Sequence, residues 1–176
     1  MRIGIDISQV AFGESGVANY LANLVENIIK IDDKNDYILF FSSLRRDFPE
    51  LGLKIENNPR VKVKKLKIPP TLLDLIWNKL HIFPIERFIG PVDLFITSDW
   101  TEPPSKSKKA TIIYDLIVYK YPQETHKRII NVQKRKLKWV KKESDLIFTI
   151  SQSSKKDIEK ILGIDSSKIK VVYPGI

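Results

Sequence analysis

The chain has 176 residues and no cysteine, which excludes disulfides, thiolate metal sites and cysteine nucleophiles. Its two histidines, His81 and His126, lie far apart in the sequence, so we expect no metal site. The length fits a single domain, residues 1–176, and the net charge of +9 favours an anionic partner unless it serves only solubility.

Seven short apolar segments are predicted to form strands, and several are continuous apolar runs, which is typical of strands buried on both faces. In chain order these strands are residues 3–7, 37–42, 61–66, 94–97, 111–114, 146–150 and 170–173. Apolar residues at helical spacing predict helices at 18–29, 127–142 and 154–162, the last of which is expected to end at Gly163. Because strands alternate with helices, we predict a doubly wound α/β domain with a mostly parallel sheet of about seven strands.

Two glycines lie between the first predicted strand and the first predicted helix. The sequence there, Gly13-Glu14-Ser15-Gly16, lacks the G-x-G-x-x-G and G-x-x-x-x-G-K-[ST] patterns. Its position is more informative, because unpaired backbone N–H groups and the positive end of the helix dipole point into the space beyond such a strand. Two interpretations remain open at this point. The loop holds a phosphate, or Ser15 caps the helix and the glycines only make the turn.

Polar residues also follow three further predicted strands. Ser98-Asp99-Trp100 follows "DLFIT", Asp115 follows "TIIY", and the segment that begins at Ser151 follows "LIFTI". In an open α/β sheet, ligands bind beyond the carboxyl ends of the strands, so these residues are candidates for one site. Each also has a structural alternative: Ser151 as a helix cap, Asp115 as a loop-stabilising carboxylate, and Trp100 as a lid over the core.

Four stretches resemble the amino-terminal domain of the family-four retaining glycosyltransferases. They are "RIGIDISQVAFGESGVANYLANLVENI", "DLFITSDWTEPP", "TIIYDLIVYKYPQ" and "SDLIFTISQSSKKDIEKILGIDSSKIKVVYPGI", in that order along nearly the whole chain. The resemblance implies one half of a GT-B fold, in which two Rossmann-like domains face each other across a cleft. It also implies transfer of a hexosyl unit from a nucleotide sugar to a glycan or lipid-linked acceptor, as in the synthesis of cell-envelope polysaccharides. The reaction would retain the anomeric configuration and need no metal ion or cofactor.

The resemblance implies roles for individual residues. Gly13 and Gly16 match the loop that lies against the diphosphate and sugar of the donor. Tyr114-Asp115-Leu116 matches a stretch that many members write His-Asp-Leu. We therefore expect Gly13, Gly16, Tyr114 and Asp115 in the donor and sugar site. Because tyrosine is a poor proton acceptor at neutral pH, a histidine-like role for Tyr114 is in doubt.

The remaining strand-end residues are expected at the same cleft. Ser98, Asp99 and Trp100 are expected to line its acceptor side. Ser151 and Ser154 match the family's Ser-x-x-Ser-x-x-Asp pattern and are expected to hold the last loop and helix in place. The sequence singles out no catalytic residue.

Residues 173–176 match the segment at which such chains cross to their second domain. In the family, that carboxyl-terminal domain holds most of the donor nucleotide and the basic residues that offset the leaving diphosphate. We therefore expect this domain to be inactive alone and to need a carboxyl-terminal transferase domain in the same chain or in a separate subunit. The alternative is a non-catalytic partner that recruits a separate transferase subunit to a membrane.

The predicted helix 127–142 is a candidate for membrane contact. Its predicted buried stripe consists of Ile129, Ile130, Leu137 and Val140. Val132 and Trp139 fall on a different face beside Arg128 and Arg135, and an exposed apolar pair among cations suits peripheral contact with an anionic membrane. The alternative is that a neighbouring loop covers Trp139 and that the cations are solvated.

Segment 72–89, which contains Trp77, is a second candidate for membrane contact unless it completes the core. No N-terminal segment resembles a signal peptide, because Asp6 follows Met1 so closely, and no apolar run approaches the roughly 20 residues that span a bilayer. We therefore expect a cytoplasmic protein, peripheral on the inner face of the membrane if the membrane contact holds. No nucleic-acid-binding motif is recognisable, so no nucleic-acid partner is expected.

Overall fold

The structure is a computed structural model that describes residues 1–13, 15–48, 58–98 and 100–175. Its centre is a seven-stranded sheet in which every neighbouring pair of strands is parallel. The strands are β1 (Arg2–Asp6), β2 (Asp36–Ser42), β3 (Val61–Leu66), β4 (Leu94–Thr97), β5 (Lys108–Ile112), β6 (Leu146–Thr149) and β7 (Ile169–Val171). Their spatial order is β3-β2-β1-β4-β5-β6-β7, which confirms the predicted doubly wound α/β fold.

Helices cover both faces of this sheet. They are α1 (Gly16–Ile31), α2 (Pro70–Leu73), α3 (Glu86–Ile89), α4 (Ile117–Lys120), α5 (Lys127–Glu143) and α6 (Gln152–Asp157). The π-helical turn Asp74–Lys79 extends α2, and the π-helical turn Ile158–Leu162 extends α6. Short 3-10 turns lie at Ser8–Phe12, Pro122–Glu124 and Ser166–Lys168. Within the described ranges, no helix is both long and apolar enough to cross a bilayer.

Strand β2 shows why the sheet needs helices on both faces. Successive side chains of a strand point to opposite faces, and in β2 both sets are apolar. Tyr37, Leu39 and Phe41 pack in the core that α1 covers. Ile38 and Phe40 pack in a separate core that α2 and α3 cover. The continuous apolar run therefore predicts a strand buried on both sides, and the structure confirms it.

The predicted elements are confirmed within a few residues at most boundaries. Gly163 ends the last helix in the left-handed conformation, with φ of +62°, as expected for a helix terminator. The largest difference is β5, which begins at Lys108 rather than at residue 111. Its first two residues are lysines, so they lack an apolar pattern, although Lys109 is buried.

Candidate active site

The loops that follow β1, β4, β5 and β6 meet at one edge of the sheet, because the strands are parallel. The strand order reverses direction between β1 and β4, which opens a crevice at that edge. Val17, Trp100, Tyr114 and Asp115 line a cavity there of about 210 Å³. Gly16 joins Tyr114 and Asp115 along a neighbouring groove of about 760 Å³. The structure thus brings together candidates from the loops after three separate strands.

The glycine loop leaves open space in front of α1. The Ser15 hydroxyl accepts a hydrogen bond from the backbone N–H of Ala18 at 3.1 Å, so it does cap the helix. Gly13 has φ of −47° and ψ of −16°, and Gly16 also lies outside the left-handed region. A Cβ at either glycine would meet no atom within 4 Å. The turn therefore does not require glycine at either position. The helix-cap part of the structural alternative is confirmed, and the phosphate-binding role of the glycines stays a prediction.

Tyr114 forms part of the floor of the groove. Its ring is 6% exposed and packs edge-to-face on Tyr20, with the ring centroids 5.6 Å apart. The Tyr20 hydroxyl donates a hydrogen bond to the backbone carbonyl oxygen of Val172 at 3.0 Å. The aromatic pair therefore joins β5, α1 and the segment after β7, and it presents little of the Tyr114 ring to a ligand.

Asp115 and the serines after β6 fix the neighbouring loops. The Asp115 carboxylate accepts a hydrogen bond from the backbone N–H of Ile117 at 3.0 Å, and its side chain remains exposed beside the cavity. Ser151 caps α6 by accepting a hydrogen bond from the backbone N–H of Ser154 at 3.0 Å. The Ser154 hydroxyl in turn donates to the backbone carbonyl oxygen of Tyr114 at 3.0 Å. Both serines therefore tie the last helix to the tip of β5.

A third cavity, of about 550 Å³, lies beside the glycine loop. It is enclosed by the Ser8–Phe12 turn, α2, α5 and the loop after β4, and half-buried Trp100 forms one wall. Half of the residues that line it are apolar or aromatic, and these are Phe12, Val17, Pro70, Trp100, Ile129 and Val132. Polar groups at its edge include Asp74 and Arg128. The cavity size is typical of a small-molecule site.

The model of Glycosyltransferase Family 4 matches residues 15–176. The chain belongs to glycosyltransferase family 4. Its seven-stranded parallel sheet is the Rossmann-like half of a GT-B fold, and family membership implies a sugar donor and a sugar acceptor as substrates. A search of curated proteins returned no significant match.

Two of the expected acceptor contacts in this family-4 domain need comment. Ser98 lines a small cavity of about 30 Å³ together with Trp100, and its acceptor role stays a prediction, but its side chain is only 2% exposed. The reason is that β4 lies in the middle of the sheet, so the residue after it is still covered by neighbouring elements. Asp99 lies outside the described residues. Trp100 lines the two larger cavities, of about 550 and 210 Å³.

A chain of ionisable side chains, which the sequence did not reveal, lies behind Trp100, and its members Glu102 and Lys109 are buried. The Glu102 carboxylate accepts a hydrogen bond from the Thr97 hydroxyl at 2.6 Å and lies 2.9 Å from Nζ of Lys109. Nζ of Lys109 is also 3.1 Å from Oε2 of Glu143, whose Oε1 is 2.8 Å from Nε2 of His81. The chain of contacts joins β4, β5, the end of α5 and the segment after α2. Through Glu102, these contacts hold the loop that carries Trp100 against the sheet.

Lys136 and Asp6 are a second pair of buried charged groups that the sequence reading missed. Lys136, on α5, lies beneath the strand tips and donates a hydrogen bond to the backbone carbonyl oxygen of Ser98. Burial raises the pKa of Asp6, whereas the hydrogen bonds from Ser8 and the positive charge of Lys136 act in the opposite direction. The sequence did contain one indication that Lys136 faces inward: it lies four residues after Val132 and therefore on the same side of the helix.

The inward face of α5 matches the predicted one in part, because Leu137 and Val140 are buried and Ile130 packs against the same core. Val132, Lys136, Leu137 and Val140 are buried, whereas Ile129 is exposed. Val132 was expected on an exposed, membrane-facing side. This expectation is wrong, because α5 packs against the π-helical turn Asp74–Lys79 and Val132 is only 8% exposed. The sequence pattern did not predict this inward face, because a charged residue such as Lys136 is expected at an exposed position.

The other expected membrane contacts of α5 are mostly occupied within the protein. Trp139 is half-buried; its ring stacks on His81 with centroids 3.6 Å apart and planes 7° apart. Arg135 forms a salt bridge with Asp74 at 2.6 Å. Of the four residues expected to face a membrane, Arg128 is exposed, Arg135 and Trp139 are half-buried, and Val132 is buried. The alternative interpretation is therefore confirmed for Trp139, which a neighbouring segment covers, but its second part is wrong for Lys136, which is buried rather than solvated.

The groove beside α1 carries little side-chain charge. Asn19, Asn23 and Asn27 lie along it at four-residue spacing, and Asp115 lies at its end. None of the described residues that line it is Lys or Arg. An anionic ligand would meet the N-terminus of α1 here but no side-chain cation. Elsewhere in the described ranges, no three His, Asp or Glu side chains are close enough to hold a metal ion.

Proposed function

We propose that this domain is the acceptor-side half of a retaining, metal-independent glycosyltransferase. It moves a hexosyl unit from a nucleotide sugar to a glycan or lipid-linked acceptor, as in cell-envelope polysaccharide synthesis, and it uses no cofactor. The observation that carries the proposal is the convergence of Gly16, Trp100 and Asp115 at the switch point of the sheet. Family membership supports the same type of reaction.

The donor side of the proposed site is the N-terminus of α1. This helix has 16 residues and begins at Gly16. The space beside Gly16 and the preceding Gly13 is open, and free N–H groups in the first turn favour a diphosphate. Sugar transfer also requires that the charge on the departing diphosphate be offset and that water be excluded. Because the groove has no lining cation among the described residues, we propose that a second, nucleotide-binding domain supplies both. The domain alone then transfers little sugar.

The acceptor side is the apolar cavity beside Trp100. An aromatic wall and apolar lining suit the apolar face of a sugar ring or a lipid chain, and Arg128 at the edge suits an anionic group on the acceptor. The exposed carboxylate of Asp115 lies between the donor and acceptor sides, within reach of sugar hydroxyls. Tyr114 is more suited to supporting the floor than to moving a proton.

The proposal is tested by following the backbone amides of the labelled chain by NMR during titration with pyrophosphate and with nucleotide sugars. We expect shifts at Gly16 and Val17 and a loss of those shifts in Gly16→Ala. The added methyl group meets no protein atom, so the variant keeps its fold while the ligand loses its close approach to the backbone. Ile31→Ala, at the far end of the same helix and outside the groove, is the matched control and should respond like the unaltered chain.

Two results would count against the proposal. The first is an absence of amide shifts at the start of α1 with every diphosphate tested. The second is turnover by the domain alone at rates typical of enzymes, which would remove the need for a second domain. A chain that binds no diphosphate yet co-purifies with a separate transferase subunit would instead favour the non-catalytic, membrane-recruiting partner.

A further inference from the structure

A groove of about 280 Å³ lies at the amino ends of the strands, on the edge of the sheet opposite the candidate active site. Its charged lining residues are the cations Arg2, Arg60, Lys62 and Lys64 and the carboxylate Asp36, and it is here called the basic groove. Strand β1 runs from Arg2 to Asp6, so the groove lies about 13 Å from the carboxyl end of that strand. The groove is therefore separate from the cavities around Trp100.

The sheet itself brings the cations of the groove together. In the strand register, Arg2 on β1 lies beside Asp36 on β2. Two residues further along β2, Ile38 lies beside Lys62 on β3. Lys64 is on the same face as Lys62, because alternate side chains of a strand point the same way. The backbones of β1 and β3 are about 10 Å apart across β2, a gap that the long side chains of arginine and lysine can span.

The floor of the basic groove is apolar. Ile38 and Ile89 line it, and they are 6% and 3% exposed. Charges beside a buried apolar surface are screened less than charges that water surrounds on all sides. The volume is just below the range of about 300–1,000 Å³ that holds drug-sized ligands. The groove therefore suits a small anion better than an extended polymer.

The positive charge of the groove is not neutralised by the protein. Within the described residues, none of its four cations forms a salt bridge. Elsewhere Lys109, Lys120 and Arg135 each pair with a carboxylate. Asp36 supplies the only carboxylate among the described lining residues, so the cations exceed it by three. An anion bound among these cations would relieve their mutual repulsion.

The two arginines are already positioned by backbone contacts. Nη1 of Arg60 donates a hydrogen bond to the backbone carbonyl oxygen of Asn35 at 3.3 Å, and Nη1 of Arg2 donates to that of Pro91 at 3.4 Å. A guanidinium group has five N–H donors, so each arginine keeps most of its donors for a ligand. Arginine binds phosphate through paired N–H bonds, and lysine adds a point charge. This combination favours a phosphate group, which carries more charge than a single carboxylate.

We propose that the basic groove binds a small anion that carries a phosphate or diphosphate group. An acidic polypeptide is disfavoured as the occupant, because the groove is short and each carboxylate of a peptide carries only one charge. The inference is independent of the proposed function. No described residue lines both this groove and any of the three cavities at the strand tips.

The test follows the backbone amides of the labelled chain by NMR during titration with inorganic pyrophosphate and, in a second arm, with glucose 6-phosphate. We expect saturable shifts at Ile38 and Lys62. Lys62→Gln/Lys64→Gln should raise the Kd about tenfold and keep the fold, because both side chains are exposed. Lys170→Gln, an exposed lysine on the other edge strand β7, is the matched control and should leave the Kd unchanged.

The two arms distinguish the sources of the phosphate group. Tighter binding of pyrophosphate would identify a free diphosphate as the ligand, and tighter binding of glucose 6-phosphate would identify a sugar phosphate. Added salt should weaken binding of either probe to the unaltered chain, and it should matter less for Lys62→Gln/Lys64→Gln.

The carboxylate of the groove tests the sign of the effect. Asp36→Asn removes a negative charge from the lining and should lower the Kd about threefold. Glu124→Gln removes the same charge at an exposed position in the turn Pro122–Glu124, and it should have no effect. Weaker binding by Asp36→Asn would contradict an anion site.

Three further results would overturn the proposal. The first is an absence of saturable shifts along β2 and β3 with both probes. The second is an equal Kd for Lys62→Gln/Lys64→Gln and Lys170→Gln, which would reduce binding to the net charge of the chain. The third is tighter binding of a hexaglutamate peptide than of either probe, which would assign the groove to an acidic protein partner. Shifts at Gly16 and Val17 report the proposed donor site separately, so each proposal can fail alone.

Discussion

The ammonium group of Lys136 donates a hydrogen bond to the backbone carbonyl oxygen of Ser98, although the lysine side chain is 2% exposed. This contact joins the middle of α5 to the carboxyl end of β4, directly before the loop that carries Trp100. Burial of an ammonium group is unfavourable unless it is hydrogen-bonded and close to an opposite charge. The position of Trp100 at the cavities therefore depends on a buried cation.

Replacement of this cation should be costly. Lys136→Met keeps the length of the side chain but removes the donor to Ser98 and the positive charge near Asp6, so we expect the free energy of unfolding to fall by about 3 kcal/mol. Urea denaturation measures the change. Lys141→Met, at an exposed position of the same helix, should change it by less than about 0.5 kcal/mol. Equal stability of the two variants would contradict a structural role for the buried ammonium.

The sequence predicted the strands because most are apolar runs, and it missed the features that charged residues form. Lys109 belongs to β5, and Lys136 to the inward stripe of α5, yet an isolated lysine indicates an exposed position. Their burial depends on contacts with Glu102 and Ser98, which lie on other elements and reach the lysines only through the order of strands. Such pairs follow from topology and not from local periodicity.

The site was predictable where it follows from strand direction alone. Gly16, Trp100 and Asp115 come after parallel strands, so they had to meet at one edge. The membrane candidates were less predictable. In segment 72–89 apolar residues occur on every side, so the pattern alone does not separate inward Trp77 from outward Leu75.

Gly4, on β1, should not tolerate even a methyl group. A Cβ there would lie 2.7 Å from Cδ2 of Phe95 and 2.9 Å from Cδ1 of Ile89, both of which are buried. We expect Gly4→Ala to lower the free energy of unfolding by about 1–3 kcal/mol through overpacking. Gly13→Ala is the matched control, since its methyl group would enter open space. Thermal or urea denaturation of the two variants side by side makes the comparison, and a stable Gly4→Ala would refute the tight fit.

The contact between Tyr37 and Asp32 should make the free energy of unfolding fall at both low and high pH. The Tyr37 hydroxyl donates a hydrogen bond to the Asp32 carboxylate; this bond, with those from Lys34 and Asn35, holds the pKa of Asp32 well below its ordinary 3.8. Burial, together with the same bond, raises the pKa of Tyr37 above its ordinary 10. Below pH 3.8 the unfolded chain binds the extra proton at Asp32, and above pH 10 it releases the Tyr37 proton first, so stability falls in both directions.

Tyr37→Phe keeps the buried ring and removes the hydroxyl. We expect its free energy of unfolding to depend less on pH than that of the unaltered chain, both as the pH falls below 3.8 and as it rises above 10. Urea denaturation over a pH series measures both limbs. Tyr173→Phe, at an exposed position, should leave both limbs unchanged. Parallel pH profiles for Tyr37→Phe and the unaltered chain would rule out the linkage.

His81 allows backbone strain to be separated from side-chain contacts. Its ring stacks on Trp139 and pairs with Glu143, while its backbone has φ of +53°. His81→Ala and His81→Gly lose the same side-chain contacts, but only alanine retains the cost of the left-handed conformation. We therefore expect both to be less stable than the unaltered chain, and His81→Gly to be more stable than His81→Ala by about 1 kcal/mol. Urea denaturation of the two variants measures the difference. An alanine variant as stable as the glycine variant would show that the backbone at His81 is not strained.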